Sequence, residues 1–144
     1  MIVIKNIEHS SPEYLQMVAL RTDILRKPLG LVYTKEQLET EKSDQLFAAF
    51  ENNKMIGCCI LTPFGNQRMQ LRQMAVAPDQ QYRGIGAKII SFAQNYCLQN
   101  QYKFIFLHAR ATAVGFYQKL GFEVIGDEYF EVGLPHFNME KQLK

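Results

Sequence analysis

The sequence predicts an α/β sandwich built on a mixed sheet, mostly antiparallel with one parallel pair. Short alternating or apolar runs bounded by turn residues point to strands in both halves of the chain. Ile85, Ile89, Phe92, Ala93 and Tyr96 recur at helical spacing and mark a helix of about four turns in the middle. That helix lies between an alternating segment ending Met74-Ala75-Val76 and the apolar run from Lys103 to Leu107. Strand, helix and strand in this order form the unit that joins a parallel pair, with a right-handed crossover.

The elements follow one another as β, α, α, β, β, β, α, β, α, β, β. Ile2 to Ile7 reads as the first strand. Ser10-Ser11-Pro12-Glu13 is a helix start, with a capping hydroxyl, proline at the first helical position and an acid in the first turn. The stripe Leu15, Val18, Ala19 and Leu25 carries that helix to about Arg26, and Pro28 and Gly30 end it. Thr34 with Gln37 three residues on is a capping box for a short helix to Glu41. Gln45 to Glu51 and Lys54 to Leu61 form a hairpin over Asn52-Asn53. Pro63 to Asn66 is a turn, and Met69 to Val76 a long fourth strand. The central helix runs from Gly84 to about Asn100. Thr112 to Leu120 is a short helix closed by Gly121. Phe122 to Val132 and His136 to Gln142 are the last strands, joined by Gly133-Leu134-Pro135.

The chain has 144 residues, 47% hydrophobic and 21% charged, which suits one folded domain spanning 1–144. A net charge of +2 without a basic stripe points away from nucleic acid. Cys58, Cys59 and Cys97 are an odd set without metal-ligand spacing, so they read as buried apolar side chains, and no metal is expected. No apolar run approaches the roughly 20 residues of a membrane span, and the start is too short for a leader, so a cytoplasmic location is expected.

The segment that carries chemistry is Gln81-Tyr82-Arg83-Gly84-Ile85-Gly86-Ala87, after the fourth strand. The first N–H groups of a helix have no partner within the helix and sit at the positive end of its dipole. Gly84 and Gly86 open the backbone to an anion, and Arg83 adds a positive charge, so the turn suits a phosphate. No Gly-Lys-Ser/Thr follows, and Ile89 stands where a dinucleotide fingerprint needs its third glycine.

Gln81, Gly84 and Gly86 meet the Gln/Arg-x-x-Gly-x-Gly/Ala signature of the GNAT superfamily of N-acetyltransferases. The segment Ala113 to Phe122 resembles that family's Ala-x-x-Phe-Tyr-x-Lys-x-Gly-Phe. The resemblance covers the element order of the whole chain. It implies about seven strands with a central splayed parallel pair, flanked by four helices. It implies acetyl-coenzyme A as acetyl donor, its pantetheine along main-chain groups of Met74, Ala75 and Val76 and its pyrophosphate on the amides from Gln81 to Ala87. A backbone N–H at the strand end would stabilise the oxyanion as the amine attacks. Phe116 would contact the cofactor. Tyr117 matches the general acid that protonates the departing thiolate; a phenol with a pKa of about 10 can donate to a thiolate whose acid is near 8.5. Arg110 stands where many members have a cofactor-binding Asn, so it meets either a phosphate, an acidic acceptor or solvent.

On the acceptor side, an attacking amine must lose a proton, and His108 and His136 are the candidate bases. Gly133-Leu134-Pro135-His136 resembles a segment of small bacterial members of unassigned substrate. Glu131, Arg72 and Arg21 are candidate acceptor contacts. Arg72 is read as sharing a strand face with Met74, and Arg21 either lines the acceptor cleft or is a solvated helix-face residue. The function expected is direct transfer of acetyl to a primary amine of a small molecule, without an acyl-enzyme, by a monomer or homodimer. The alternative is a non-catalytic module that senses acyl-coenzyme A or binds a partner.

Overall fold

Asn52 and Asn53 take φ values of 52° and 65°, the left-handed pair that a two-residue hairpin turn requires. Around them the strands pair as the alternation demands, with Phe47 opposite Cys59 and Ala48 opposite Cys58. The computed structural model describes residues 1–143. Seven strands form one sheet: β1 (Ile2–Asn6), β2 (Gln45–Glu51), β3 (Lys54–Phe64), β4 (Arg68–Val76), β5 (Phe104–Arg110), β6 (Glu123–Glu131) and β7 (Leu134–Gln142). Their order across the sheet is β1-β2-β3-β4-β5-β7-β6. The helices are α1 (Pro12–Arg21), α2 (Lys35–Glu39), α3 (Ile85–Gln99) and α4 (Val114–Lys119).

The parallel pair is β4 with β5, registered from Arg68 opposite Phe104 to Gln70 opposite Phe106. Beyond that register β4 runs on to Val76 and β5 to Arg110. The described residues group into two compact units, 1–62 with 73–93, and 63–72 with 94–143.

In the first unit, Ile7, Tyr14, Met17, Leu46, Ala48, Phe50, Met55, Cys58, Ile60 and Ala75 make a core. Ser11 caps α1 by accepting the Tyr14 N–H at 3.2 Å, with Pro12 at the first helical position. The helix does not run unbroken to Arg26. It ends at Arg21 and widens into a π turn over Thr22–Arg26. Thr22 Oγ1 donates to the Val18 carbonyl at 2.7 Å, a side-chain bond that competes with the regular ladder, and Pro28 follows without an N–H to offer. Both bonds of the Thr34–Gln37 capping box are present. Gly57 of β3 faces α3 so closely that a Cβ there would lie 2.8 Å from Ile89 Cδ1.

In the second unit β7 pairs with both β5 and β6, antiparallel to each. β5 extends past Leu107 to Arg110, because Ala109 and Arg110 find ladder partners in Phe137 and His136. The last turn is Val132-Gly133, with φ values of 47° and 77°, so Leu134 and Pro135 already belong to β7. No helix among the described residues is long and apolar enough to cross a membrane.

Candidate functional site

The amide turn belongs to the first unit. After β4, Pro78–Gln80 make a single 3-10 turn and Gln81 ties it back, its side-chain amide donating to the Val76 carbonyl at 3.2 Å. Tyr82 and Gly84 then take positive φ, 69° and 78°, with Arg83 between them on the negative side. Alternation of this kind turns successive N–H groups toward one concavity, the backbone arrangement that receives anions. The first bond within α3 is Lys88 N–H to the Gly84 carbonyl, at 3.1 Å. The amides of Ile85, Gly86 and Ala87 therefore precede the helical ladder. Gly84 is exposed, and a Cβ there would meet nothing within 4 Å, so the backbone is open at Gly84, while Ile85 and Gly86 behind it are buried and Ala87 is partly exposed. Its φ supplies a second reason for glycine, since any other side chain would be strained. These residues fit a diphosphate.

Arg83 is not a loose charge. Its terminal nitrogens hold the Glu51 carboxylate at 2.9 and 3.1 Å, and Nη1 also donates to Gln80 Oε1. The pair keeps the Glu51 carboxyl below its ordinary range. Tyr82 is fully exposed. Sequence reasoning gave no sign of Glu51, which lies 32 positions away.

In β4, Met74 and Val76 are partly exposed and Ala75 is buried. Gln73 just before them has a φ of 56°, left-handed in the middle of a strand. Such a residue does not continue the pleat, so the alternation that put Arg72 and Met74 on one face is interrupted between them. Arg72 is partly exposed.

Arg21 is neither a solvated helix residue nor a presented contact: it is 0% exposed. Its Nη1 and Nη2 each donate to Glu41 at 2.9 Å, and Tyr14 Oη donates to the same carboxylate at 2.5 Å. Burial pulls the guanidinium's pKa down, but the bond to Glu41 and its charge more than reverse this and hold it cationic. A helix carrying Tyr14, Met17 and Arg21 at three- and four-residue spacing turns all three inward, and the arginine is admitted only because Glu41 arrives with it.

The second unit carries the histidines. Register explains how they meet. On β7, His136 is opposite Arg110 of β5 and Tyr129 of β6. Direct partners share a face, and so do residues two apart on one strand, which adds His108 and Glu131. Glu131 bridges the histidines: Oε1 lies 3.3 Å from His108 Nδ1 and Oε2 3.7 Å from His136 Nε2. His136 is buried while His108 is exposed. The His136 Nδ1 lies 2.9 Å from the Leu134 carbonyl, which only accepts, so Nδ1 carries the hydrogen and Nε2 faces the carboxylate. The Tyr129 ring stands 6.0 Å from His108 and 5.9 Å from His136, and its buried hydroxyl has no hydrogen-bond partner among the described residues. Burial, then the charge of Glu131, push that phenol's pKa up. Tyr129 had no signal in the sequence beyond its place in a strand.

Tyr117 is buried on α4, its ring 5.0 Å from Phe116 and 5.7 Å from Phe122. Its carbonyl accepts the N–H groups of Leu120 and Phe122, which closes the helix at Gly121. Phe116 is the more exposed of the pair. All three cysteines are buried, and burial pushes the Cys58 and Cys97 thiols up to about 12. A thiol so shifted is a poor nucleophile.

Similarity to known proteins bears on this arrangement. YyaT of Bacillus subtilis is 28% identical over 99 residues, 69% of this chain and 66% of its own length, just under two thirds. A solved Lactobacillus plantarum structure superposes with a TM-score of 0.89 at 21% identity, covering 99% of both chains. A GNAT family acetyltransferase from Elizabethkingia anophelis, solved with acetyl-CoA bound, gives 0.75 at 22% identity over 98% of this chain and 97% of that one. The two structures share the fold. The model of the acetyltransferase (GNAT) domain matches residues 28–143, and the chain belongs to that family.

Proposed function

We propose that this chain is one acetyltransferase domain that moves an acetyl group from acetyl-coenzyme A directly to a primary amine of a small molecule. The observation that carries the reading is the set of unladdered amides, Ile85 to Ala87, behind an open Gly84 at the head of α3. Family membership supplies the donor; the amides supply the place for its diphosphate. Met74, Ala75 and Val76 offer main-chain groups to the pantetheine, and one of their N–H groups meets the thioester carbonyl. Tyr117 protonates the leaving thiolate, with Phe116 and Arg110 as further cofactor contacts.

The amine arrives as an ammonium and must be deprotonated before attack. His108 is the first proton acceptor in this reading, backed by Glu131 and through it by His136. Glu131 also draws the cationic acceptor. Arg72 is left as a contact for an acidic part of the acceptor. Buried, protonated thiols favour direct transfer over an acyl-cysteine. The protein acts in the cytoplasm, as a monomer or homodimer.

Calorimetry with acetyl-coenzyme A, followed by thiol release across amino acids, polyamines, aminoglycosides and peptide N-termini, tests this. Binding is expected, with thiol released only when an amine is supplied. Binding without release from any amine favours a sensor, and absence of binding removes the proposal.

A further inference from the structure

Gln73 sits in β4 immediately before the Met74 amide, and its φ of 56° needs an explanation. Left-handed backbone is ordinary for glycine and tolerable for asparagine or aspartate, whose short side chains bond locally. Gln67 and Gln101 also take it, at 59° and 70°, but in turns; Gln73 does so inside a strand. Something outside the strand has to hold it.

Tyr33 Oη donates to Gln73 Oε1 at 2.6 Å, across 40 positions of sequence. Cys58 Sγ, still a thiol and so still a donor, lies 3.6 Å from the Gln73 carbonyl. Tyr33 is itself fixed. The guanidinium carbons of Arg21 and Arg26 stand 4.5 Å from its ring centroid. Arg21 is immobile in turn, gripped at two nitrogens by Glu41, which also takes the Tyr14 hydroxyl. A buried ion pair of this kind adds little net stability compared with apolar packing, but its two bonds fix where the Arg21 guanidinium stands. The relay runs from the α1 core through Arg21 and the Tyr33 ring to one side chain of β4.

We propose that Tyr33 is a positioning residue: through Gln73 it holds the left-handed kink that aims the Met74 amide at the acyl carbonyl of bound acetyl-coenzyme A. This rests on the reading that the end of β4 receives the thioester. The kink belongs to the backbone, and the lock to Tyr33, whose ring needs two arginines and whose hydroxyl needs the glutamine. Coenzyme A itself lacks the acyl carbonyl, so the aimed amide distinguishes the acetylated from the free cofactor.

The test compares wild type, Tyr33→Phe, and Tyr33→Phe with Gln73→Gly. Phenylalanine keeps the ring beside the arginines and removes the hydroxyl that donates to Gln73. Glycine adopts positive φ without help, so it restores the kink in the absence of the lock. Calorimetry gives the affinities for acetyl-coenzyme A and coenzyme A, and the amide-to-α coupling of residue 73 reads its φ. In Tyr33→Phe the preference for acetyl-coenzyme A falls about three- to tenfold, the worth of one neutral hydrogen bond, while affinity for coenzyme A stays within about twofold. The double variant recovers the preference. An unchanged preference in Tyr33→Phe, equal weakening toward both ligands, or failure of the double variant to recover overturns the proposal. Wild type that binds both ligands without preference overturns it alone; wild type that binds neither removes the donor reading with it.

Discussion

Arg83 stands next to the first-turn amides of α3 in sequence, yet its terminal nitrogens lie on Glu51. An exposed pair of this type is worth little, so a diphosphate can compete for the same guanidinium. Tyr117 differs in that its side chain is buried among aromatic rings. Tyr117→Phe keeps those ring contacts and removes the proton. Turnover is therefore expected to fall by about a hundredfold or more, with coenzyme A affinity within about twofold, by steady-state kinetics and calorimetry. Equal turnover in the variant takes Tyr117 out of the acid role. His108, His136 and Glu131 were legible one by one as polar residues at strand ends. Their grouping came from register, through the pairing of β7 with both neighbours.

At the scale of elements, α3 and β3 meet at Gly57. A Cβ there would lie 2.8 Å from Ile89 Cδ1 and 3.2 Å from the Ala75 carbonyl oxygen. The isoleucine can turn; the carbonyl is held by the strand. Gly57→Ala should destabilise by about 1–3 kcal/mol, read as a lower denaturation midpoint at unchanged slope. The element boundaries that sequence reasoning placed well are those with local causes: the Ser11 and Thr34 caps and the Asn52-Asn53 turn. Of those it misplaced, one has a distant cause and one a local cause. β5 runs on to Arg110 because β7 offers it partners, and the first helix changes pitch at Thr22 where a hydroxyl and Pro28 disturb the ladder.

Across the molecule the three cysteines report opening. Cys58 and Cys59 lie in one compact unit and Cys97 in the other, all buried. The folded thiols of Cys58 and Cys97 are pushed up to about 12, whereas an unfolded thiol ionises near 8.5. Burial thus favours the neutral form, and the contribution is complete below the unfolded value. It is lost as pH rises from about 8.5 toward 12, since only the unfolded chain gains by ionising. Native protein should resist iodoacetamide at pH 8, and each thiol should become alkylated in denaturant at the midpoint of its own unit. Rapid modification of Cys97 in native protein would place that helix face in solvent.

The sequence by itself determined the class of sheet, the order of its elements and the open amide turn, because alternation, caps and glycines act within a few residues of themselves. It also carried the family, through Gln81, Gly84, Gly86 and the segment around Tyr117. Tertiary structure alone decided that Arg21 is buried on Glu41, that Glu51 holds Arg83, that Tyr33 reaches Gln73, and that two histidines share one carboxylate. Each of these joins charged or polar groups distant in sequence, and their pairing depends on desolvation and register, which no local pattern encodes.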